Sequence, residues 1–207
     1  MAATDLASDD VCASLEDHAR FPKFRGIRQI LGRHEKEDRK HGSDSLLDNP
    51  AFLRGLRELQ HRQLCFDLQM IPPQIPRVVE ILKQVPDLSV ALCHCGSPWD
   101  QSETGLTHWR EGLQQLAQLP RVHCKVSGLG MFNPSWRAQD LRPIVLQVID
   151  IFGPERVMFG SNFPVDKLYN SYDALWDAYD QILIDFSANE RRQMLVNTAA
   201  GFYRIEL

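Results

Sequence analysis

The chain has 207 residues, a length that favours one domain with a continuous hydrophobic core. Hydrophobic residues make up 43%, charged residues 24%, and the net charge is -4, which is typical of a globular protein. This composition argues against a disordered or membrane protein. It also argues against nucleic-acid binding, because the basic residues form no stripe and the densest charged run, residues 33–41, mixes both signs like a solvated loop or helix end.

The N-terminal residues, the apolar runs and the cysteines indicate the cellular location to expect for this chain. Residues 1–10 are small and acidic and lack the basic and apolar parts of a signal peptide, and no apolar run reaches membrane-spanning length. Five cysteines leave one unpaired under any disulfide scheme, and their neighbours are apolar. We therefore expect reduced thiols, a cytoplasmic location and no membrane partner.

Taken in chain order, the pattern is weak over residues 1–23 and becomes regular over residues 24–207, which we treat as the folded domain. Short apolar runs predict five strands, over residues 24–31, 64–70, 88–95, 122–127 and 156–161. Helices are predicted between them. The first is capped by Asp48 with Pro50 in its first turn, and the last begins with Ser187 and Glu190 in capping-box spacing.

Strands that alternate with helices predict a mostly parallel α/β sheet, either a barrel or a doubly wound sheet. No Gly-x-Gly-x-x-Gly or Walker-type turn follows any predicted strand, which weakens the case for a nucleotide-binding sheet. Polar residues recur near the carboxyl ends of the strands, where barrel enzymes carry their chemistry. The sequence therefore favours a barrel.

Side chains alternate between the two faces of a strand, so the sequence also predicts which polar residues share a face. His94 shares a face with Val90 and Leu92, opposite Cys93 and Cys95, so Cys-His-Cys is not a three-ligand metal cluster. We expect His94, Lys125 and Asn162 to point inward at a common mouth. The other groupings are Cys65 with Asp67 and Gln69, His123 with Lys125 and Ser127, and Met158 with Gly160 and Asn162.

His94 and Asn162 each end a predicted strand. His94 precedes a Gly-Ser-Pro loop, a position suited to a metal ligand or a general base, although a hydrogen-bonded structural histidine fits as well. Asn162 precedes a rigid Phe-Pro turn that would aim its side chain toward the mouth, and turn formation alone is the alternative.

The charged candidates have equally plain alternatives. Lys125 and Ser127 place a cation and a hydroxyl on one strand face, where a buried cation is costly unless it is paired, for instance with Asp67. Arg28 could clamp a substrate carboxylate or form an ion pair that ties adjacent strands. Asp67 has the same two interpretations, and all four residues are candidate substrate contacts.

Several strings, in this order, resemble the amidohydrolase-related family that includes fuconolactonase-like and pyrone-dicarboxylate lactonase-like enzymes. The similarity covers the chain from about Phe24 onward, and it rests on the order and spacing of the strings together. They are FRGIRQIL at residues 24–31, FDL at 66–68, LCHCGSP at 92–98, CKVSGL at 124–129, RVMFGSNFPV at 156–165 and NTAAGFYR at 197–204.

The resemblance implies a distorted (β/α)8 TIM barrel that hydrolyses lactones or related ester and amide bonds of small, often carboxylated molecules. Around the reacting centre it implies a His-x-His pair on the first strand, a histidine at the position of His94 and an aspartate at the position of Asn162. His94 would be a metal ligand where a divalent metal, zinc or manganese, is used, and some members use none. The aspartate would be the general base that activates water.

Two departures from the family pattern bear on activity. Asn162 cannot take a proton, so a base role needs another group such as Asp166 or His94. Nothing before Phe24 resembles a strand ending in His-x-His, and five strands are predicted where a barrel needs eight. For this incomplete barrel we favour an N-terminally truncated gene or gene model over a shortened isoform or a chain completed by a partner copy.

The predicted function is hydrolysis of a lactone or a similar ester or amide of a small carboxylated or sugar-derived molecule. His94 would orient water or a metal, Arg28 and Lys125 would hold substrate anions, and Asn162 would hydrogen-bond the reacting water or carbonyl. Two alternatives remain open: a non-catalytic truncated paralogue or binding protein, and a metal-dependent decarboxylase of the same superfamily. Because an open barrel edge favours pairing, we also expect a homodimer.

Overall fold

The computed structural model describes residues 1–32 and 44–207, so the charged run at 33–41 lies outside the described residues. Within these two ranges, six parallel strands form one sheet in the order β1 to β6. The strands are β1 Ala2–Ala3, β2 Gly26–Ile30, β3 Cys65–Gln69, β4 Val90–Leu92, β5 Val122–Val126 and β6 Val157–Phe159.

The order of the strands distinguishes the two predicted architectures. Each strand pairs with the next one along the chain. A doubly wound sheet reverses its order at a switch point, whereas a barrel adds its strands in sequence. The fold is therefore of the predicted α/β barrel type. Over the described ranges the sheet is open, since β1 and β6 each pair on one side.

Helices connect the strands. They are α1 Val11–Ala19, α2 Asp44–Asp48, α3 Pro50–His61, α4 Ile75–Leu82, α5 Glu103–Ala117, α6 Ala138–Phe152, α7 Tyr172–Ile182, α8 Ala188–Arg192 and α9 Thr198–Tyr203, with a π-helical turn at Gln193–Asn197 between the last two. Short 3-10 turns occupy Pro72–Gln74, Cys93–Gly96, Leu129–Met131, Pro154–Arg156 and Val165–Leu168. None of the described helices is long and apolar enough to cross a membrane.

Helix ends follow local hydrogen-bonding chemistry. The side chain of Asn49, not the predicted Asp48, caps α3 by accepting a hydrogen bond from the Ala51 amide at 2.9 Å. Asn49 is the residue directly before Pro50, which leaves it at the N-cap position. The Ser187 and Glu190 capping box at the start of α8 is confirmed, with both reciprocal hydrogen bonds present.

Residues 1–23, where the sequence pattern is weak, hold both β1 and α1. β1 pairs with β2, and the side chains of Leu6, Val11 and Leu15 are buried in the same core as the helices that follow. A two-residue strand is too short to show alternation, which explains why the pattern does not reveal it.

The register divides the sheet into two faces. Residues directly across parallel strands point the same way, so Arg28, Asp67 and Ala91 share one face with Lys125 and Met158. We call this the polar face. The opposite face packs against the helices through an apolar set that forms the main core, including Ile27, Phe66, Leu68, Val90, Leu92, Cys124, Val126 and Val157. All five cysteines are free thiols.

Candidate functional site

His94 reaches the polar face through an unusual turn. The pattern predicts a strand over residues 88–95, but β4 ends at Leu92. Residues 94–97 follow with φ angles of 54°, 53°, 69° and 59°, a left-handed backbone that only Gly96 adopts without cost. Because Val90 and Leu92 lie on the helix-covered face, continued alternation would have buried His94 there. The turn redirects its side chain.

His94 contacts Arg28 on β2 and Ser127 after β5. Its Nε2 lies 2.9 Å from Arg28 Nη2, and its Nδ1 lies 2.9 Å from Ser127 Oγ. A guanidinium can only donate, so Nε2 must accept and the proton must be on Nδ1, which then donates to Ser127. This tautomer excludes Ser127 activation by His94 in the observed state, because Nδ1 has no lone pair to take the hydroxyl proton.

The electrostatics of this group keep His94 neutral. Burial lowers the pKa of His94 to about 3, and the charges of Arg28 and Lys125 act in the same direction. Arg28 also donates to Gln69 Oε1 at 2.7 Å. The predicted Arg28 ion pair between strands does not occur among the described residues, and neutral groups hold this guanidinium instead.

Asn162 lies beside His94. It adopts φ 56°, and its Nδ2 donates to Asp166 Oδ1 at 2.9 Å. Gly128, which follows β5, separates the two side chains: a Cβ at that position would be 2.6 Å from His94 Nδ1 and 3.1 Å from Asn162 Nδ2. Any side chain at position 128 would clash with His94 and crowd Asn162. Glycine is therefore required there, and it allows His94 and Asn162 to lie on either side of it, close to each other. We call His94, Arg28, Ser127 and Asn162 the mouth group.

Asp67 and Lys125 form a separate cluster. Lys125 Nζ lies 2.8 Å from Asp67 Oδ2, and the hydroxyl of Tyr203 on α9 donates to Asp67 Oδ1 at 2.6 Å. The ammonium also lies 5.2 Å from the centre of the Tyr203 ring. Asp67, Lys125 and Tyr203, which we call the floor group, border a cavity of about 750 Å³ that is lined neither by His94 nor by Asn162.

The structure thus divides the six predicted site residues. It brings Arg28, His94, Ser127 and Asn162 together and places Asp67 and Lys125 in the ion pair that the sequence offers as their alternative. Three further residues contact these side chains, and the sequence gives only a weak signal for each. Asp166 lies four residues after Asn162, Gln69 shares strand parity with Asp67, and Tyr203 looks like an apolar-face helix residue.

Comparison with known proteins places the chain in a family. A family model described as amidohydrolase matches residues 1–205. The chain belongs to the amidohydrolase family. The match includes residues 1–23, in agreement with their place in the sheet and core.

Three similar proteins illustrate the relationship. An L-fucono-1,5-lactonase from Burkholderia multivorans is 33% identical over 90% of this chain and 66% of its own length. A zinc-bound amidohydrolase structure from Burkholderia multivorans matches with a TM-score of 0.87 at 29% identity, covering 98% of this chain and 72% of that one. A structure from Pseudomonas putida described as a 2-pyrone-4,6-dicarboxylic acid hydrolase shares the fold, with a TM-score of 0.76 at 22% identity, covering 99% of this chain and 71% of that one.

Because the Burkholderia multivorans amidohydrolase structure contains zinc, a divalent metal is the group to test against the residues of this chain. Over residues 1–32 and 44–207, no three His, Cys, Asp or Glu side chains are grouped so that they could hold an ion. Both ring nitrogens of His94 are engaged, and the cationic Arg28 occupies the position facing Nε2. The described residues therefore do not fit a divalent metal at His94.

Proposed function

We propose that this protein hydrolyses a lactone, or a similar ester or amide, of a small carboxylated or sugar-derived molecule. The observation that carries the proposal is the convergence of His94, Arg28, Ser127 and Asn162 at the carboxyl ends of the strands. A relative named L-fucono-1,5-lactonase supports the lactone class. Strand carboxyl ends are where barrel enzymes place their reacting groups.

Arg28 is the group that recognises a substrate carboxylate. Its guanidinium is held by two neutral partners, Gln69 and His94, so a carboxylate offers it a stronger, charge-assisted pair. Moving Arg28 onto the substrate frees His94 Nε2. It also neutralises one of the charges that lower the pKa of His94, so the imidazole becomes a better base when an anionic substrate is present.

Water held by the Asn162 carboxamide oxygen loses a proton to His94 Nε2, and its oxygen bonds to the lactone carbonyl carbon. The ring C–O bond breaks, and the proton on His94 passes to the departing alcohol oxygen. Lys125 takes no part in this scheme, because its ammonium is already paired with Asp67 in the floor group.

The test is turnover of a panel of sugar and dicarboxylate lactones by the purified chain, with and without zinc or manganese. We expect His94→Ala to lower kcat by about 100-fold or more, in the range of one general base. His108→Ala, which removes an exposed histidine of α5, is the matched control and should not change turnover. Arg28→Gln should raise KM for carboxylated lactones and leave KM for uncharged ones within a few-fold.

The non-catalytic alternative has one specific observation in its favour, since both nitrogens of His94 are satisfied within the protein. It predicts a folded chain that binds carboxylated lactones without opening them. Binding without turnover under every metal condition would therefore favour a binding protein. Release of CO2 from an unsaturated carboxylic acid would favour the decarboxylase.

A further inference from the structure

The hydrogen bond between Asn162 and Asp166 fixes which way the carboxamide points. A carboxylate only accepts hydrogen bonds, so the amide nitrogen of Asn162 must face Asp166 Oδ1, at 2.9 Å. The carboxamide oxygen is consequently turned away from Asp166. Asn162 is half-buried, and its Oδ1 makes no hydrogen bond with the described residues, which leaves this oxygen open to a water or a ligand.

The backbone holds the same pair in place. Asn162 has φ 56°, and its carbonyl oxygen accepts hydrogen bonds from the amides of Val165 at 2.9 Å and Asp166 at 3.3 Å. Its side-chain nitrogen lies next to Gly128, across which His94 is found. The turn therefore fixes the Cα of Asn162, and Asp166 decides the remaining choice, which end of the carboxamide is bound within the protein and which end is free.

The burial of Asp166 is unfavourable for the stability of the fold. Its exposed fraction is 3%, and its Oδ2 is buried with no hydrogen-bond partner among the described residues. No described lysine, arginine or histidine forms an ion pair with it. A buried carboxylate without a cation lowers stability, so its presence calls for a function beyond packing.

We propose that Asp166 is a positioning residue that binds the Asn162 carboxamide through Nδ2 and so keeps Oδ1 free to accept a hydrogen bond from the reacting water. The proposal rests on the proposed function and deepens it, because Asn162 itself cannot accept the proton. Asp166 acts through Asn162 and does not touch the substrate, since its own carboxylate oxygens are buried beneath the turn.

Protonation of Asp166 would reverse this orientation. Burial raises the pKa of Asp166, while the Asn162 and Gly130 amides act in the opposite direction. Below that pKa the protonated carboxyl can donate to Asn162 Oδ1, and this oxygen is then no longer free for the reacting water. The ratio kcat/KM, which reports the free enzyme, should fall as the pH drops through a pKa above the ordinary aspartate range.

Among the described groups around Asp166, His94 is the other source of an acidic limb, so the pH dependence is read in kcat/KM, which reports the free enzyme. Tyr179 of α7 is fully buried, and burial raises its pKa well above the ordinary tyrosine value of 10. Lys167, the next residue, is exposed. Across Gly128 lie the guanidinium of Arg28 and the imidazole of His94, and the pKa of His94 in the free protein, about 3, lies below the raised pKa of Asp166.

Three substitutions separate positioning from proton transfer. Asp166→Asn can accept from Asn162 Nδ2 or, turned over, donate to Asn162 Oδ1, so about half of the molecules keep the orientation and none can titrate; kcat should stay within about threefold, and the acidic limb of kcat/KM should disappear. Asp166→Leu keeps the branched shape of the side chain and removes the acceptor, so kcat should fall about 10-fold to 100-fold with KM nearly unchanged, because one orienting hydrogen bond is lost. Asp166→Ser is a second variant without the acceptor, because the serine hydroxyl is too short to reach Asn162 Nδ2. It replaces Asp166→Leu if that variant does not fold.

Asp173→Asn, in the exposed first turn of α7, is the matched control and should behave as wild type.

Equal loss of turnover in Asp166→Asn and Asp166→Leu would overturn the proposal, because it would show that the carboxylate charge itself is used. Wild-type turnover in both Asp166→Leu and Asp166→Ser would overturn it as well.

Side-chain amide NMR gives a readout that needs no turnover. The Asn162 NH2 resonances, assigned by their loss in Asn162→Asp, should shift with pH in wild type and stay constant in Asp166→Asn. If the NH2 resonances behave in this way but no lactone is hydrolysed, Asp166 orients Asn162 and the proposed function is wrong. If the resonances still shift with pH in Asp166→Asn, Asp166 does not control the orientation of Asn162.

Discussion

At the scale of single residues, the protonation state of His94 follows from its partners. Arg28 donates to Nε2, so Nδ1 carries the only ring proton and donates to Ser127. A second proton would have to share Nε2 with a cation in a buried site. Burial and the charges of Arg28 and Lys125 together lower the pKa of His94 to about 3. The folded protein therefore holds this imidazole neutral at every ordinary pH.

This neutrality predicts a pH-dependent stability. In the unfolded chain His94 titrates near its usual pKa of about 6.5, so the unfolded state binds a proton that the folded state rejects between that value and about pH 3. The stabilising contribution is present above about pH 6.5 and is lost as the pH falls. Going from pH 7.5 to pH 5, wild type should lose about 2 kcal/mol more free energy of unfolding than His94→Gln.

Urea unfolding of the two proteins at both pH values checks this expectation. Glutamine is the chosen replacement because it is neutral and its carbonyl oxygen can still accept from Arg28. His123, whose pKa burial also lowers, contributes equally to both proteins and cancels in the comparison. Identical pH slopes for wild type and His94→Gln would show that His94 binds its proton as readily in the folded protein as in the unfolded chain, and would contradict the lowered pKa.

At the scale of secondary-structure elements, the turn between β4 and α5 depends on Trp109. Four consecutive left-handed residues, 94–97, cost on the order of 1 kcal/mol for each that is not glycine. The indole Nε1 of Trp109, on α5, donates to the carbonyl oxygen of Cys95 at 2.7 Å. Trp109 is 2% exposed, so this bond satisfies a buried carbonyl in the middle of the turn.

We expect Trp109→Phe to lower the free energy of unfolding by about 1–3 kcal/mol, because the Cys95 carbonyl loses its buried partner. Trp136→Phe is the matched control: the Nε1 of Trp136 is also buried, but it has no hydrogen-bond partner among the described residues. The control should lose less, since no hydrogen bond is broken. Urea unfolding measures the difference, and an equal loss in both variants would mean that ring packing alone stabilises the turn.

The elements also show what sequence can predict. The five longer strands and their order follow from the alternation of apolar runs with amphipathic helices, a signal carried by many residues at once. β1 contains only Ala2 and Ala3, so it has no pattern to detect. The left-handed backbone of His94 and Cys95 was equally hidden, because tertiary contacts such as Trp109 with Cys95 impose it on residues that do not prefer it.

At the scale of the whole molecule, the polar face has two levels. The mouth group lies at the carboxyl ends of the strands, and the floor group joins β3, β5 and α9 through Asp67, Lys125 and Tyr203. Strand parity predicts which face a side chain points to but not its neighbours along the strand axis. For this reason the six candidate residues look like one site in the sequence and form two clusters in the structure.

The floor group predicts a stability effect separate from the chemistry. Tyr203→Phe removes a hydrogen bond to a buried carboxylate and should lower the free energy of unfolding by about 1.5–3 kcal/mol. Tyr172→Phe is the matched control, because the Tyr172 ring is half exposed, packs against the rings of Phe163 and Trp176, and forms no side-chain hydrogen bond with the described residues. Turnover should persist in both variants. A Tyr203→Phe protein as stable as the control would show that Lys125 alone satisfies Asp67.

The position of Tyr203 in the chain affects the course of synthesis. Asp67 is translated 136 residues before the tyrosine that binds it, and 58 residues before Lys125. Until α9 leaves the ribosome, the nascent sheet therefore has a carboxylate without its hydroxyl partner and an apolar patch, including Cys65 and Met158, without Phe202. Docking of α9 is thus a late folding event, during which the polar face is open to chaperones and to misassembly.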